Sequence, residues 1–212
     1  MKISKELTKL YGILLGDGCL SKVGKKYYFI LITGHAIDDR AFFENTIVLL
    51  KEISGRQYRI KKRRGNTIEI SFSNKSLFTL LKSLEFPVGK KGINLKISSL
   101  FDYKSYRHLV RGYFATDGSL VLTDNNGLLY PRIEFSSISK KLLKQVLEYL
   151  KSMGMHGNIY VSRKYDNPNL HTLYRIQCNG KTNLEIFRDK VGFVNPKQEI
   201  RYQYFKKYMA VA

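Results

Sequence analysis

Leu10-Tyr11-Gly12-Ile13-Leu14-Leu15-Gly16-Asp17-Gly18 returns further down the chain as Val110-Arg111-Gly112-Tyr113-Phe114-Ala115-Thr116-Asp117-Gly118. The two stretches align without a gap, pairing Gly12 with Gly112, Asp17 with Asp117 and Gly18 with Gly118, and self-similarity at a fixed spacing marks a duplicated structural unit. Each copy closes a predicted helix. Leu7, Leu10, Tyr11 and Leu14 recur at i, i+3, i+4 and i+7, and Tyr106, Leu109, Val110 and Tyr113 repeat that spacing. Ser4 is placed to cap the first helix, with Glu6 in its first turn. Gly12 with Gly16, and Gly112 with Thr116, add a second stripe of small residues one turn apart. Such a stripe lets two helix backbones approach closely, at a propensity cost of about 1 kcal/mol per glycine.

An aspartate at a helix C-terminus faces the negative end of the macrodipole, where a cation would gain about 0.3–1 kcal/mol. Both copies accept that penalty. If the two helices pack through their small-residue stripes, Asp17 and Asp117 finish near each other, and adjacent carboxylates repel unless a cation lies between them. A divalent metal is the natural reading.

The duplication extends outward from the motifs. Strands are expected over Tyr27 to Thr33 and Tyr130 to Ser136. Helices follow, one opened by Asp38 as N-cap with Phe42 stapled to Ile37, the other opened by Ser139 with Leu143 in the equivalent place, running to about Lys51 and Lys151. Hairpins come next. In the first, a Gly65-Asn66 turn separates two alternating strands, with Arg59, Lys61 and Arg63 on one face and Tyr58 and Ile60 on the other. Ile68, Ile70 and Phe72 share an apolar face opposite Thr67, Glu69 and Ser71. In the second, Tyr160, Ser162 and Lys164 face away from Ile159 and Val161, while Arg175 and Gln177 face away from Tyr174 and Ile176. Helices over Lys75 to Leu84 and Thr182 to Val191 complete the halves, and Pro196 to Met209 adds a last one. The predicted organisation is a first repeat over 1–86, a Gly-, Pro- and Lys-rich linker over 87–102, and a second repeat over 103–212 with the extra C-terminal helix.

Charge supplies the partner class. The 212 residues hold 37 Lys and Arg against 17 Asp and Glu, a net charge of +20, divided as +11 over residues 1–106 and +9 over 107–212. A basic excess in both halves favours a folded surface that meets a polyanion along its length. With 43% hydrophobic and 13% aromatic residues the chain can bury a core, so it is not a disordered basic tail. No stretch reaches the roughly 18–20 apolar residues of a membrane span, and the N-terminal residues lack a signal-peptide core. An intracellular protein, cytoplasmic in a prokaryote, is expected, with no membrane partner. Cys19 and Cys178 and the four histidines have no zinc-ligand spacing.

Taken together, Gly12–Gly18 and Gly112–Gly118 resemble the two motifs of a monomeric, double-motif LAGLIDADG homing endonuclease of the archaeal, intron-encoded type. The resemblance covers nearly the whole chain. It implies an α+β fold of two pseudo-symmetric αββαββα halves, motif helices packed at their interface, and two antiparallel saddle-shaped sheets facing DNA. It implies a site-specific enzyme that makes a metal-dependent double-strand break in a long duplex target and leaves short 3′ overhangs. Asp17 and Asp117 would be the catalytic, metal-binding acids, helped by the carbonyls of Gly16 and Thr116. Mg²⁺ is the implied cofactor, and Mn²⁺ or Ca²⁺ can occupy the same sites. Where many relatives carry Gln-Lys near the end of the second strand, this chain reads Gly34-His35 and Ser136-Ser137, so His35, Ser136 and Lys140, with Arg40 nearby, are the auxiliary polar candidates. Expected DNA contacts are Lys22, Lys25, Lys26, Arg59, Lys61, Arg63, Arg132, Tyr160, Ser162, Lys164, Arg175 and Gln177, the arginines suited to bidentate reading of guanine and the lysines to phosphates. An RNA-binding maturase that also contacts its own intron RNA, and a non-catalytic DNA-binding regulator, are the alternatives.

Overall fold

The computed structural model describes residues 3–167 and 169–211. The first repeat runs α1 (Lys5–Asp17), β1 (Gly18–Val23), β2 (Tyr27–His35), α2 (Arg40–Ser54), β3 (Lys61–Lys62), β4 (Thr67–Ser73) and α3 (Lys75–Ser83). The second runs α4 (Tyr106–Asp117), β5 (Gly118–Asn125), β6 (Leu128–Ser137), α5 (Lys140–Ser152), β7 (Asn158–Arg163), β8 (Leu173–Asn179) and α6 (Lys181–Lys190), and α7 (Pro196–Val211) follows. The fold is α+β, and each repeat forms one antiparallel four-stranded sheet. Strand order is the same in both, β1-β2-β4-β3 and β5-β6-β8-β7. The chain divides into two compact units, Met1–Lys91 with Ser98–Thr116 and Gly92–Ile97 with Asp117–Ala212, so α4 packs with the first repeat almost to its end.

Each unit builds its core by strand alternation. In the first, cross-strand pairs Leu20 with Ile30 and Ile32 with Ile70 put four fully buried residues on one face. Leu10, Tyr11, Ile13 and Leu14 of α1, Leu50 of α2 and Leu81 of α3 are buried in the same unit. In the second, Leu120, Ile133 and Cys178 form one buried row and Phe135 with Ile176 another, joined by Leu143, Val146, Leu150, Leu184 and Phe187. Each such aliphatic side chain contributes about 1.5–3 kcal/mol of transfer free energy. Burial pushes the Cys178 thiol up to about 12, so it stays protonated as a core residue.

The outer edges of β1 and β5 are closed by different devices, and both act at the equivalent leucine. Leu20 carbonyl accepts from Gly89 N–H at 2.7 Å, and Val88 forms an isolated parallel bridge to Leu20. On β5, Leu120 N–H donates to Gln198 Oε1 at 2.9 Å, Gln198 Nε2 donates to Gly118 carbonyl at 3.1 Å, and Arg201 donates to Leu120 carbonyl at 3.2 Å. An open strand edge invites pairing with another chain. The linker blocks one edge and α7 the other. The linker is therefore packed: its Phe101 meets Tyr11 edge-on at a centroid distance of 4.7 Å, and Phe86, just before it, meets the same ring at 5.2 Å.

Four sequence-based expectations require correction. Asp38 does not cap the second helix, which begins at Arg40 after Asp39, and Ile37 is 74% exposed, so the hydrophobic staple is not made. The cause is local: Asp39 Oδ2 accepts from His35 N–H at 2.9 Å and ends β2 in a tight turn. The strand expected around Arg59–Arg63 shortens to Lys61–Lys62, leaving Arg59 outside the ladder and its face unset by strand geometry. The alternation Tyr160, Ser162, Lys164 breaks because a bulge between Val161 and Arg163 leaves Ser162 without a cross-strand partner; Lys164 lies past the strand and Val161 is 60% exposed. Lys22 stands opposite Tyr28, in the same row parity as Leu20 and Ile30, so it lies on the helix side of the sheet, with its ammonium over the Tyr28 ring at 5.4 Å.

Candidate functional site

Ser4 caps α1 as its residue type predicts, its Oγ accepting from Leu7 N–H at 3.1 Å. From there the helix runs to a crossing with α4 made by two glycines. A Cβ on Gly12 would stand 2.1 Å from the carbonyl oxygen of Leu109, and one on Gly112 would stand 2.2 Å from that of Lys9. The two contacts are reciprocal in the repeat numbering, which makes the glycine stripe a steric requirement rather than a compositional accident. Asp17 and Asp117 are the last helical residues of α1 and α4, each half-buried and each five residues beyond its crossing glycine. After Asp17 the chain turns directly into β1. A Cβ on Gly18 would overlap Leu14, with side-chain and backbone atoms at 2.3 and 2.4 Å, so only glycine passes there.

The end of α1 holds a cation that sequence reasoning did not find. Lys91 Nζ donates to the carbonyls of Leu14 and Leu15, each at 3.0 Å, and to that of Gly16. The last turn of α1 contains no basic residue, and the ammonium arrives from 75 to 77 positions away. At the end of α4 the Thr116 hydroxyl donates back to Tyr113 carbonyl at 3.0 Å.

The auxiliary candidates are held locally. His35 closes β2, and its Nδ1 is 3.2 Å from Asp38 Oδ2. Gly34 precedes it because a Cβ there would meet the Phe43 ring at 2.5 Å. Arg40 pairs with Glu44 at 2.9 Å along α2, Lys140 lies over the Tyr174 ring at 5.5 Å, and Ser136 stands opposite Arg175 in the sheet.

The second sheet gathers the polar residues best. Cross-strand pairing places Arg132, Glu134, Ser136, Tyr160, Arg175 and Gln177 on the face away from its core. Glu134, which the sequence reading passed over, organises them. Its side chain is 7% exposed, with Arg132 Nε at 2.6 Å, Arg175 at 3.2 Å and Gln177 Nε2 at 3.1 Å. The first sheet repeats the device more simply. Glu69, opposite Lys61 and Thr33, pairs with Arg63 at 2.5 Å, and that guanidinium holds the Glu69 carboxyl below the usual carboxylate range. Lys61 Nζ donates to Ser71 carbonyl at 3.0 Å, while Lys25 and Lys26 form the exposed turn between β1 and β2. A buried acid that fixes two guanidinium planes preorganises them for directional hydrogen bonding. Glu134→Gln is expected to lower unfolding free energy by about 1.5–3 kcal/mol, the worth of hydrogen bonds to a charged group, as read by urea denaturation.

Residues 104–192 match the family model of the LAGLIDADG-like domain. Over 187 residues, 86% of this chain, the sequence is 29% identical to the probable translation initiation factor IF-2 of Methanocaldococcus jannaschii, and the matched region spans 14% of that protein. Among solved structures, I-DmoI in complex with DNA and Mn aligns over 90% of this chain and 98% of that one, with TM-score 0.62 and 19% identity. The LAGLIDADG meganuclease I-AabMI bound to uncleaved DNA aligns over 99% and 90%, with TM-score 0.61 and 15% identity. I-SmaMI bound to uncleaved DNA in the presence of calcium ions aligns over 99% and 92%, with TM-score 0.60 and 12% identity. At these identities the likeness to the solved structures is one of fold. No helix among the described residues is long and apolar enough to cross a membrane.

Proposed function

We propose that this chain, whose residues 104–192 are a LAGLIDADG-like domain and whose two repeats carry the fold of the double-motif LAGLIDADG homing endonucleases, is a site-specific DNA endonuclease. It acts as a monomer, hydrolyses both strands of a long duplex target with Mg²⁺ and leaves short 3′ overhangs. The observation that carries this reading is the pair of Asp-Gly helix ends, Asp17-Gly18 and Asp117-Gly118, set equally far beyond a reciprocal glycine crossing.

The donors fit a hard divalent cation. Each motif end offers one carboxylate and helix-end carbonyls, all oxygen, and such a set suits Mg²⁺, Mn²⁺ or Ca²⁺ with phosphate oxygens and water completing the shell. The ammonium of Lys91 on the carbonyls of Leu14, Leu15 and Gly16 supports a cation-seeking α1 terminus. When bound, the metal polarises phosphate and activates water. Asp17 with the Gly16 carbonyl would hold the ion at the first motif end, and Asp117 with the Thr116 carbonyl would do so at the second. Ser136, His35 and Lys140 serve as polar groups around the reacting phosphates. Arg132, Arg175, Gln177 and Tyr160 meet base edges from one sheet face, Lys61 and Arg63 from the other. Lys25, Lys26, Arg59, Ser162 and Lys164 hold the backbone at the periphery, and Lys22 joins them only at the margin of its sheet.

The test is to select bound duplexes from a randomised DNA library and to incubate them with the protein in Mg²⁺ or in chelator. Double-strand cleavage in Mg²⁺ alone, with 3′ overhangs mapped by primer extension, is the expected result. No cleavage in Mg²⁺, Mn²⁺ or any mixture of the two would overturn the endonuclease reading, and tighter binding of structured intron RNA than of any selected duplex would replace it with the maturase.

A further inference from the structure

The outer face of the first sheet carries an apolar stripe among its basic residues. Leu20, Ile30 and Ile32 face the core, so Tyr27, Phe29 and Leu31 of β2, with Val23 of β1 opposite Tyr27, face away from it. The Tyr27 ring stacks on that of Phe29, with centroids 5.9 Å apart and planes inclined by 16°. Tyr27 is 55% exposed and Val23 53%, while Phe29 and Leu31 are half-buried. The duplication identifies what stands at these places in the other repeat. Gly18 pairs with Ile32 and its counterpart Gly118 with Phe135, so Leu31 corresponds to Glu134 and Phe29 to Arg132. Where the second sheet sets an ion pair, Arg132 to Glu134 at 2.6 Å, the first sets two hydrocarbon side chains.

The rim of the stripe limits what can cover it. Lys25 and Lys26 form the turn at one end, and Lys61, opposite Glu69, stands on the same face toward the other. A cationic rim selects a polyanion, and an apolar centre selects one that carries hydrocarbon. In the major groove of duplex DNA, which admits a β-ribbon, the thymine methyl is the apolar group on the base edges. We propose that Val23, Tyr27, Phe29 and Leu31 are specificity-determining residues that read thymine methyls. The part of the target met by the first sheet is then recognised by hydrocarbon contact, and the part met by the second by charged hydrogen-bonding groups. A duplicated fold thereby reads two unlike half-sites. Tyr27 to Leu31 spans about 13 Å of strand, the rise of about four base-pair steps, so the methyls fall in one short run of the target. The inference rests on the endonuclease reading for its duplex, but its observable is binding rather than cleavage.

The experiment starts from the tightest duplex selected from a randomised library. Each thymine in turn is replaced by deoxyuridine, which removes the methyl and keeps every hydrogen-bonding atom, and affinity is measured in Ca²⁺ by fluorescence anisotropy. The wild-type protein is expected to lose about fourfold in affinity at each thymine it reads, the worth of one buried methyl, at positions clustered in one half of the site. Phe29→Ser and Tyr27→Ser should each bind the unmodified duplex more weakly and abolish the loss at one or more of those positions. Tyr27 is exposed, so its truncation spares the core.

Wild-type affinity unchanged by every deoxyuridine would overturn the proposal. Losses that persist undiminished in both variants would overturn it too, because they report duplex stiffness rather than contact. Weaker binding by the variants with no deoxyuridine effect in the wild type would assign the rings to stacking on unpaired bases, as in RNA recognition, with the same consequence. The two readings fail separately. A protein that binds its duplex with these losses but never cuts it sinks the endonuclease reading alone, whereas a nuclease indifferent to every deoxyuridine sinks only this inference. Enrichment of no duplex at all would sink both.

Discussion

Gly112→Ala is expected to destabilise the chain by about 3 kcal/mol, the upper part of the range for forcing an atom into a closed contact. A helix-interior Gly→Ala change taken alone gains about 1 kcal/mol of propensity, so the sign of the result tests the crossing directly. The new methyl would lie 2.2 Å from Lys9 carbonyl oxygen, 3.0 Å from Ile13 nitrogen and 3.1 Å from Lys9 carbonyl carbon. All three atoms are backbone in a helix, so no rotamer change relieves the overlap and α1 must move away. Gly12→Ala meets Leu109 carbonyl oxygen at 2.1 Å and should cost about as much. The double variant should cost less than the sum, because a seam already opened by the first methyl has room for the second. Gly92→Ala, with nothing within 4 Å, is the control and should change stability by less than about 0.5 kcal/mol. Urea denaturation of the four variants and the wild type decides the matter. Gly112→Ala at wild-type stability would mean that the helices do not pack through these glycines.

The glycine seam was legible because its signal is local and occurs twice. Two copies of one spacing, each with a small residue on the same face, predict reciprocal contact before any coordinates are known. The face of the second sheet was legible for the same reason: Arg175, Gln177 and Tyr160 follow a period of two residues, and the cross-strand pairs place them together with Arg132 and Ser136. That same period passes through Glu134, so its position could have been read from the sequence. Its role could not, because an acid among basic residues gives no sign of whether it is buried until the ladder sets Arg132, Arg175 and Gln177 around it.

Where periodicity failed, the pleat was interrupted. The bulge at Ser162 shifts every following side chain, and Lys164 with it. The two-residue β3 leaves Arg59 on irregular backbone. The charge of Lys22 points to a DNA contact, while its register with Tyr28 puts it on the core side of the strand. At the turn after β2, Asp39 spends its carboxylate on His35 N–H, a tertiary choice between two adjacent aspartates that capping preference does not resolve. Lys91 lies beyond any local rule, since it satisfies carbonyls at least 75 residues earlier in the chain. The closure of β5 by Gln198 and Arg201 is of the same long-range kind.

Asp17→Asn and Asp117→Asn should each reduce double-strand cleavage by a factor on the order of 10³ or more, the scale of losing one preorganised electrostatic group at a reacting centre. The substitution keeps shape and removes only the charge and the metal-binding oxygen, so its effect separates chemistry from folding. A carboxylate at a helix C-terminus opposes the macrodipole, and relief of that repulsion is worth about 0.3–1 kcal/mol. Thermal unfolding, run beside the cleavage assay, is expected to show both variants folded at the assay temperature. Affinity for the selected duplex in Ca²⁺, measured by fluorescence anisotropy, should be retained, because the sheet-face residues Arg132, Arg175, Lys61 and Arg63 are untouched. Loss of cleavage with retained binding would place the reaction at the helix ends and the recognition on the sheets. If both variants cut at the wild-type rate, the carboxylates at the ends of α1 and α4 do not hold the catalytic metal, and the reason for two acids at unfavourable helix ends must be sought elsewhere.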